Sequence, residues 1–178
     1  VVKFLIASGG SVNEAKNNGW TPLHTASQNG HLEVVKFLIA SGGSVNQATN
    51  DGTTPLYIAS QNGYLEVAKV LIASGGSANQ ANNSGRTPLY IASQEGHLEV
   101  VEFLIASGGS VNQAAYDGTT PLYIASQEGH LEVVKFLIAS GGSVNEANNG
   151  GWTPLHSASK NGHLEVVKFL IESGGSVN

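Results

Sequence analysis

The sequence predicts an all-α repeat solenoid, a stack of helix-turn-helix units with one core running along its length. Three observations predict it. Thr-Pro-Leu followed by His or Tyr begins at Thr21, Thr54, Thr87, Thr120 and Thr153, always 33 residues apart, and these copies contain all five prolines. Glycines fall at fixed offsets from them, with only Gly150 off the period. Apolar residues within each copy recur at helical spacing. Strict self-similarity at such a period marks units that bury their apolar faces only against their neighbours. The period divides the chain into a single repeat domain, 1–178, made of a partial unit, 1–13, and five full ones: 14–46, 47–79, 80–112, 113–145 and 146–178.

Each element of a unit has a local cause, as the first full copy illustrates. Asn17-Asn18-Gly19 is a turn signal, since glycine takes positive φ without steric cost. Thr21 suits an N-cap, and Pro22 suits the first helical position, where a missing N–H costs nothing. The first helix therefore runs to about Gln28 and stops near Gly30. A second opens at His31-Leu32-Glu33, with Glu33 near the positive end of the helix dipole. Val34, Val35, Leu38 and Ile39 give it a wide apolar face. Gly42-Gly43 ends it, and Ser44-Val45-Asn46 leads to the next turn.

Composition excludes several functions. The net charge is −5 and charged residues make up only 12% of the chain, so no basic patch offsets phosphates and nucleic-acid binding is not expected. No run reaches the roughly 18–20 apolar residues of a membrane helix. Val1–Ser8 has the look of a short signal core, yet the same string returns at Val34–Ser41 and Val133–Ser140, which makes it an ordinary repeat segment. With no cysteine there are no disulfides or thiolate metal sites.

A turn, then Gly-x-Thr-Pro-Leu-His-x-Ala, then Gly-His-Leu-Glu-Val-Val, all within 33 residues, closely resembles the ankyrin repeat, and the resemblance covers the whole chain. It implies L-shaped units of two antiparallel helices with projecting β-hairpin loops. It also implies a curved array whose concave side, made of hairpin tips and first helices, holds a protein partner. Three departures stand out. The aspartate that usually opens the hairpin is Lys16, Thr49, Asn82, Ala115 or Asn148. The usual Ala-Ala of the first helix is Ala-Ser in every unit, as at Ala26-Ser27. Tyr57, Tyr90 and Tyr123 replace the motif histidine. In the family that histidine helps tie adjacent hairpins. A tyrosine offers one hydroxyl in place of two ring nitrogens, so units two to four are expected to lack the usual tie.

The five copies barely differ from Gly-His-Leu-Glu onward, and their differences gather in the hairpin and first helix. The candidate protein-binding residues are accordingly Asn18, Trp20, Asp51, Thr53, Ser84, Arg86, Tyr116, Asp117, Thr119 and Trp152. Trp and Arg are favoured interface anchors. The competing explanation is drift at exposed positions where packing demands little. Tyr57, Tyr90 and Tyr123 could form an aromatic ladder for a ligand; packing between first helices explains them with less.

Other motifs carry no site. All six histidines are periodic: His24 and His156 in the first-helix motif, His31, His97, His130 and His163 at second-helix openings. Metal ligands must meet within about 2 Å of one ion, and residues from successive units need not converge. Ser-Gly-Gly-Ser lacks the Lys-Ser/Thr ending of a phosphate loop. Repetition also makes a unique catalytic triad unexpected. No catalytic residue, cofactor or metal is assigned.

The variation is correlated. Units one and five share Glu, Trp, His and a small hydroxyl (Glu14, Trp20, His24, Thr25; Glu146, Trp152, His156, Ser157). Units two to four share Gln, a non-Trp residue, Tyr and Ile. This A-B-B-B-A order suggests duplication of a four-unit block within a longer array. The expected protein is a monomer, a non-enzymatic interaction scaffold, whose uncapped ends can stack end to end. The alternatives are a structural spacer of a longer array or an engineered repeat fragment. Val1–Asn13 is expected to cover the first unit with one helix, with fraying at Val1–Ser8 and after Glu172 and the best amide protection over Gln47–Asn145.

Overall fold

The computed structural model describes residues 11–176; the expected covering helix and frayed start of the partial unit lie largely outside them. Among the described residues there are ten helices in five pairs: α1 Pro22–Gln28 and α2 Leu32–Ala40; α3 Pro55–Gln61 and α4 Leu65–Ala73; α5 Pro88–Glu95 and α6 Leu98–Ala106; α7 Pro121–Glu128 and α8 Leu131–Ala139; α9 Pro154–Asn161 and α10 Leu164–Glu172. Each odd-numbered helix packs on its own even partner and on the odd helix of the next pair, and the even helices form a second row. The chain is thus a stack of helical hairpins, as its period requires. No described residue is in a strand, so the projecting loops are turns. Each is closed by a backbone bond such as Lys16 N–H to Trp20 O (2.8 Å), repeated from Thr49, Asn82, Ala115 and Asn148 to the residue four on (2.9 Å).

The helix ends follow the local chemistry. Every Thr of the repeated motif is an N-cap whose hydroxyl accepts from the backbone N–H three residues on, with Pro at the first helical position. In α1 and α9 the histidine returns the favour: Thr21 N–H donates to His24 Nδ1 (3.2 Å) and Thr153 N–H to His156 Nδ1 (3.3 Å). A reciprocal pair of this kind satisfies two orphan donors at once. At the far end of α2, Gly43 N–H donates to Leu38 O (2.9 Å) and Gly42 N–H to Ile39 O (3.0 Å), the Schellman arrangement. The two glycines serve different needs. Gly42 has φ +88°, whereas a Cβ on Gly43 would lie 2.8 Å from Leu38 O.

The core is one continuous apolar spine. Leu23, Val35 and Leu38 are followed at the same register by Leu56, Ala68 and Leu71, then Leu89, Val101 and Leu104, then Leu122, Val134 and Leu137; in the fifth unit Leu155 and Leu170 are joined by Val166, with Val167 partly buried against the cluster. Full burial of one such side chain contributes about 1.5–3 kcal/mol. No single helical pair could bury them alone.

Polar ties at fixed offsets hold the register. Asn13, Asn46, Asn79, Asn112 and Asn145 each donate from Nδ2 to a glycine carbonyl of the next unit (Asn112 to Gly141 O, 2.9 Å). Each also accepts on Oδ1 from a serine N–H of that unit (Ser143 to Asn112, 2.9 Å). On the other side, His97, His130 and His163 donate from Nε2 to Gln61, Gln94 and Gln127 carbonyls of the preceding unit (3.0, 2.9 and 2.8 Å). Their rings lie over Gly63, Gly96 and Gly129, where a Cβ would meet ring atoms at 2.5–2.7 Å.

Candidate functional site

Loop residues contact the first helix of their own unit, as Trp20 does His24, and adjacent loops are joined main chain to main chain. Asn50 N–H donates to Asn18 O (3.0 Å), Asn83 to Asp51 O (2.9 Å), Tyr116 to Ser84 O (3.0 Å) and Asn149 to Asp117 O (2.9 Å). Beside these bonds runs a side-chain ladder: Asn50, Asn83 and Asn149 donate from Nδ2 to the carbonyls of Asn17, Asn50 and Tyr116 (3.0, 3.0 and 2.9 Å). Unit four has Tyr116 in the place of the ladder asparagine, and it is 75% exposed.

The turns need an acceptor for the N–H groups at their tips, and its position alternates. Asn82 Oδ1 accepts from Ser84 and Arg86 N–H, and Asn148 Oδ1 from Gly150 and Trp152 N–H, in each case from the opening position. Where the opening residue is Lys16 or Ala115, the tip residue takes over: Asn18 accepts from Trp20 N–H (3.2 Å) and Asp117 from Thr119 (2.9 Å). In unit two both places serve, Thr53 N–H reaching Thr49 Oγ1 (3.0 Å) and Asp51 Oδ1 (3.2 Å). Loop variation at these positions is therefore partly compensation, because one hydrogen-bond role is filled from either of two places. Thr49's hydroxyl, together with Thr53, holds the Asp51 carboxyl below its ordinary range. Burial pushes Asp117 up, but Thr119 and the nearby Arg86 charge outweigh it, and its pKa also falls below the usual value.

The ten sequence-predicted residues divide accordingly. Asn18, Asp51, Ser84, Tyr116, Asp117 and Trp152 are exposed, and Trp20 and Arg86 half-buried. Thr53 and Thr119 lie under the surface, 8% and 7% exposed. His24 Nε2 donates to Thr53 O (3.2 Å), and Thr119 Oγ1 meets the Tyr90 hydroxyl (3.2 Å). These two threonines form the floor of the face and are not available to a partner. Large variable residues sit on the motif ring four positions on: Trp20 on His24 (5.6 Å between centroids), Arg86 over Tyr90 (5.3 Å) and Trp152 on His156 (5.9 Å). Lys160, in the last turn of the same helix as His156, lies over the Trp152 ring, 5.3 Å from its centroid.

The motif rings are structural. Tyr57, Tyr90 and Tyr123 are 6%, 1% and 6% exposed, so packing accounts for them. Burial raises the Tyr57 phenol to about 12. The expected loss of the inter-unit tie is corrected for two of the three: Tyr90 bonds to Thr119, and Tyr123's hydroxyl accepts from Asn148 Nδ2 (3.3 Å). Burial also lowers the His24 pKa. The imidazole is neutral, with Nδ1 facing Thr21 and the proton on Nε2 directed at Thr53 O. Sequence reasoning missed Asn148, Ser157 and Lys160, which gather with Tyr123 and Trp152 between the last two units. The signal was present, since Lys160 stands where the other four units have glutamine.

Comparison with known proteins agrees with this geometry. The family model described as ankyrin repeats matches in three overlapping copies, over residues 1–82, 41–115 and 108–178. No curated protein matches the sequence. Repeats of this family are generally protein–protein interaction modules and are typically non-enzymatic. No described helix is long and apolar enough to cross a membrane. Period, helical pairing and family match together establish that the chain belongs to the ankyrin repeat family.

Proposed function

We propose that the chain is a non-enzymatic scaffold that docks a protein partner on the concave face of loop tips and first helices. The observation that carries this reading is Tyr116. Its place in the other full units is filled by asparagine, and in three of them that asparagine ties adjacent loops through Nδ2. Unit four gives up that bond and presents a ring that is three-quarters exposed. Trp152 and Arg86 lie on the same side, and aromatic residues and arginine are enriched among the anchors that dominate binding energy. Asn18, Trp20, Asp51, Ser84 and Asp117 complete the surface. Thr53 and Thr119 support it from below.

The test is affinity capture with the triple variant Arg86→Ala, Tyr116→Ala, Trp152→Ala beside a control, Lys36→Ala with Lys168→Ala on the outer helices. Protein bound by the parent and the control but lost by the triple variant, with helicity unchanged, supports the reading. Identical capture by all three favours a spacer without a dedicated partner.

A further inference from the structure

Between the first helices of units four and five runs an open groove of about 470 Å³, lined among others by Tyr123, Gln127, Asn148, Trp152, Ser157 and Lys160. Two of its residues depart from the middle units: Ser157, a small hydroxyl as at Thr25 of unit one, and Lys160, which no other full unit carries. Ser157 stands where units two to four have Ile58, Ile91 and Ile124, which are buried in the packing between first helices. Lys160 stands where the other full units have Gln28, Gln61, Gln94 and Gln127.

Several acceptors of the groove are already engaged. Gln127 O already accepts from Asn161 Nδ2 (2.9 Å) and His163 Nε2 (2.8 Å), and Asn148 Oδ1 from two backbone N–H groups. Gln127 Oε1 receives Ser157 Oγ at 3.5 Å. Tyr123's hydroxyl accepts from Asn148 Nδ2, so its own proton remains to be given, and no described residue takes it. Lys160 forms no ion pair among the described residues and is held over the indole of Trp152. The groove therefore offers one positive charge, neutral donors and an aromatic wall. A site of that composition selects an anion. A single ammonium matches one negative charge, and Glu128, whose Oε1 takes Gln127 Nε2 (3.0 Å), stands next to the groove and disfavours a dianion.

We propose that this groove binds one carboxylate side chain, Asp or Glu, of a peptide lying along the loop-and-helix face, with Lys160 as its counter-ion and the Tyr123 hydroxyl as donor. The proposal rests on the reading of that face as protein-binding and names the chemistry of one of its subsites.

The test follows the Trp152 indole and Lys160 ammonium signals by NMR while acetyl-Gly-Glu-Gly-amide is added to about 20 mM, a range that covers the millimolar affinity of a single contact. The glutamine peptide and the phosphoserine peptide serve as comparisons. Lys160→Gln and Ser157→Ile each install the residue that other units carry at that position, so both fold. The expected result is a saturable shift with the glutamate peptide that weakens about tenfold with the glutamine peptide and in either variant, and that declines as salt rises. No saturable shift, or one that Lys160→Gln leaves unchanged, overturns the proposal. Binding of the phosphoserine peptide about tenfold tighter than the glutamate peptide overturns the assignment to carboxylate. Peptide binding that persists while the triple face variant captures partners normally keeps the pocket and rejects the wider reading. Lost capture without any peptide response rejects the pocket alone.

Discussion

Gly129 and His163 offer a direct measurement of what one inter-unit tie contributes. Gly129 ends α7 at φ +81°, and a Cβ there would lie 2.5 Å from His163 Nδ1. Gly129→Ala therefore imposes two separable costs. Holding alanine in the left-handed region costs about 1–2 kcal/mol. Displacing the ring breaks the 2.8 Å bond from His163 Nε2 to Gln127 O, worth about 0.5–1.5 kcal/mol. The single variant should lose about 1.5–3.5 kcal/mol by these terms. In a His163→Ala background the ring is already gone, and the same glycine substitution should cost only the backbone part. A double-mutant cycle by urea denaturation followed by circular dichroism should give a coupling of about 1 kcal/mol, the double variant being less destabilised than the sum. Gly162, at φ +77° with no atom within 4 Å of its would-be Cβ, supplies an independent figure for the backbone term. Additivity of Gly129→Ala and His163→Ala within about 0.3 kcal/mol would refute the claim that the ring, and not the backbone alone, demands glycine.

Two further predictions concern charge. His24 has a pKa below its ordinary 6.5 in the fold, so the unfolded chain takes up the proton first. Its contribution is complete above about pH 6.5 and declines as pH falls through that value towards the folded pKa. His24→Tyr, which installs the residue of units two to four, should remove that part of the stability loss between pH 7.5 and 5. An unchanged slope would show that His24 is not its source. On the outer face, Glu33–Lys36, Glu66–Lys69, Glu132–Lys135 and Glu165–Lys168 pair at 2.6–2.8 Å, whereas unit three has Glu99 and Glu102 at the same spacing. Glu102→Lys should raise stability by about 0.3–0.5 kcal/mol at low salt and by less in 1 M NaCl. No gain at low salt would show that the pairs contribute nothing here.

What the sequence disclosed and what it hid differ in range. Thr21-Pro22 and Gly42-Gly43 mark the helix ends within a residue or two, because caps and left-handed glycines are decided by a few neighbouring atoms. The apolar spacing of Val35, Leu38 and Ile39 likewise reveals the second helix and its buried side. The hidden features all depend on how one unit sits on the next. That Thr53 and Thr119 lie beneath the first-helix rings follows from contacts 29 residues away. The roles of His97, His130 and His163 follow from carbonyls 36 residues back. The exchange of the turn acceptor between Asn82 and Asp117 is local, yet it becomes readable only once the bonds show that both positions do the same task. In the candidate face, Trp20, Arg86, Tyr116 and Trp152 were legible as odd, large residues in a monotonous text. Ser157 and Lys160 were legible as departures in the first helix, but that they meet Tyr123 and Asn148 of the adjoining elements depends on how unit five sits on unit four.

The asparagine and histidine ties share a property with a consequence for heredity. Each runs from a side chain that most copies carry to a peptide group that every copy has, so these ties key no copy to a particular neighbour. A gene of this kind can slip during replication and gain or lose a whole period while the asparagine and histidine ties re-form between the new neighbours. The molecule's reach can thus be edited in steps by ordinary copying errors, while the residues that face outward diverge one at a time.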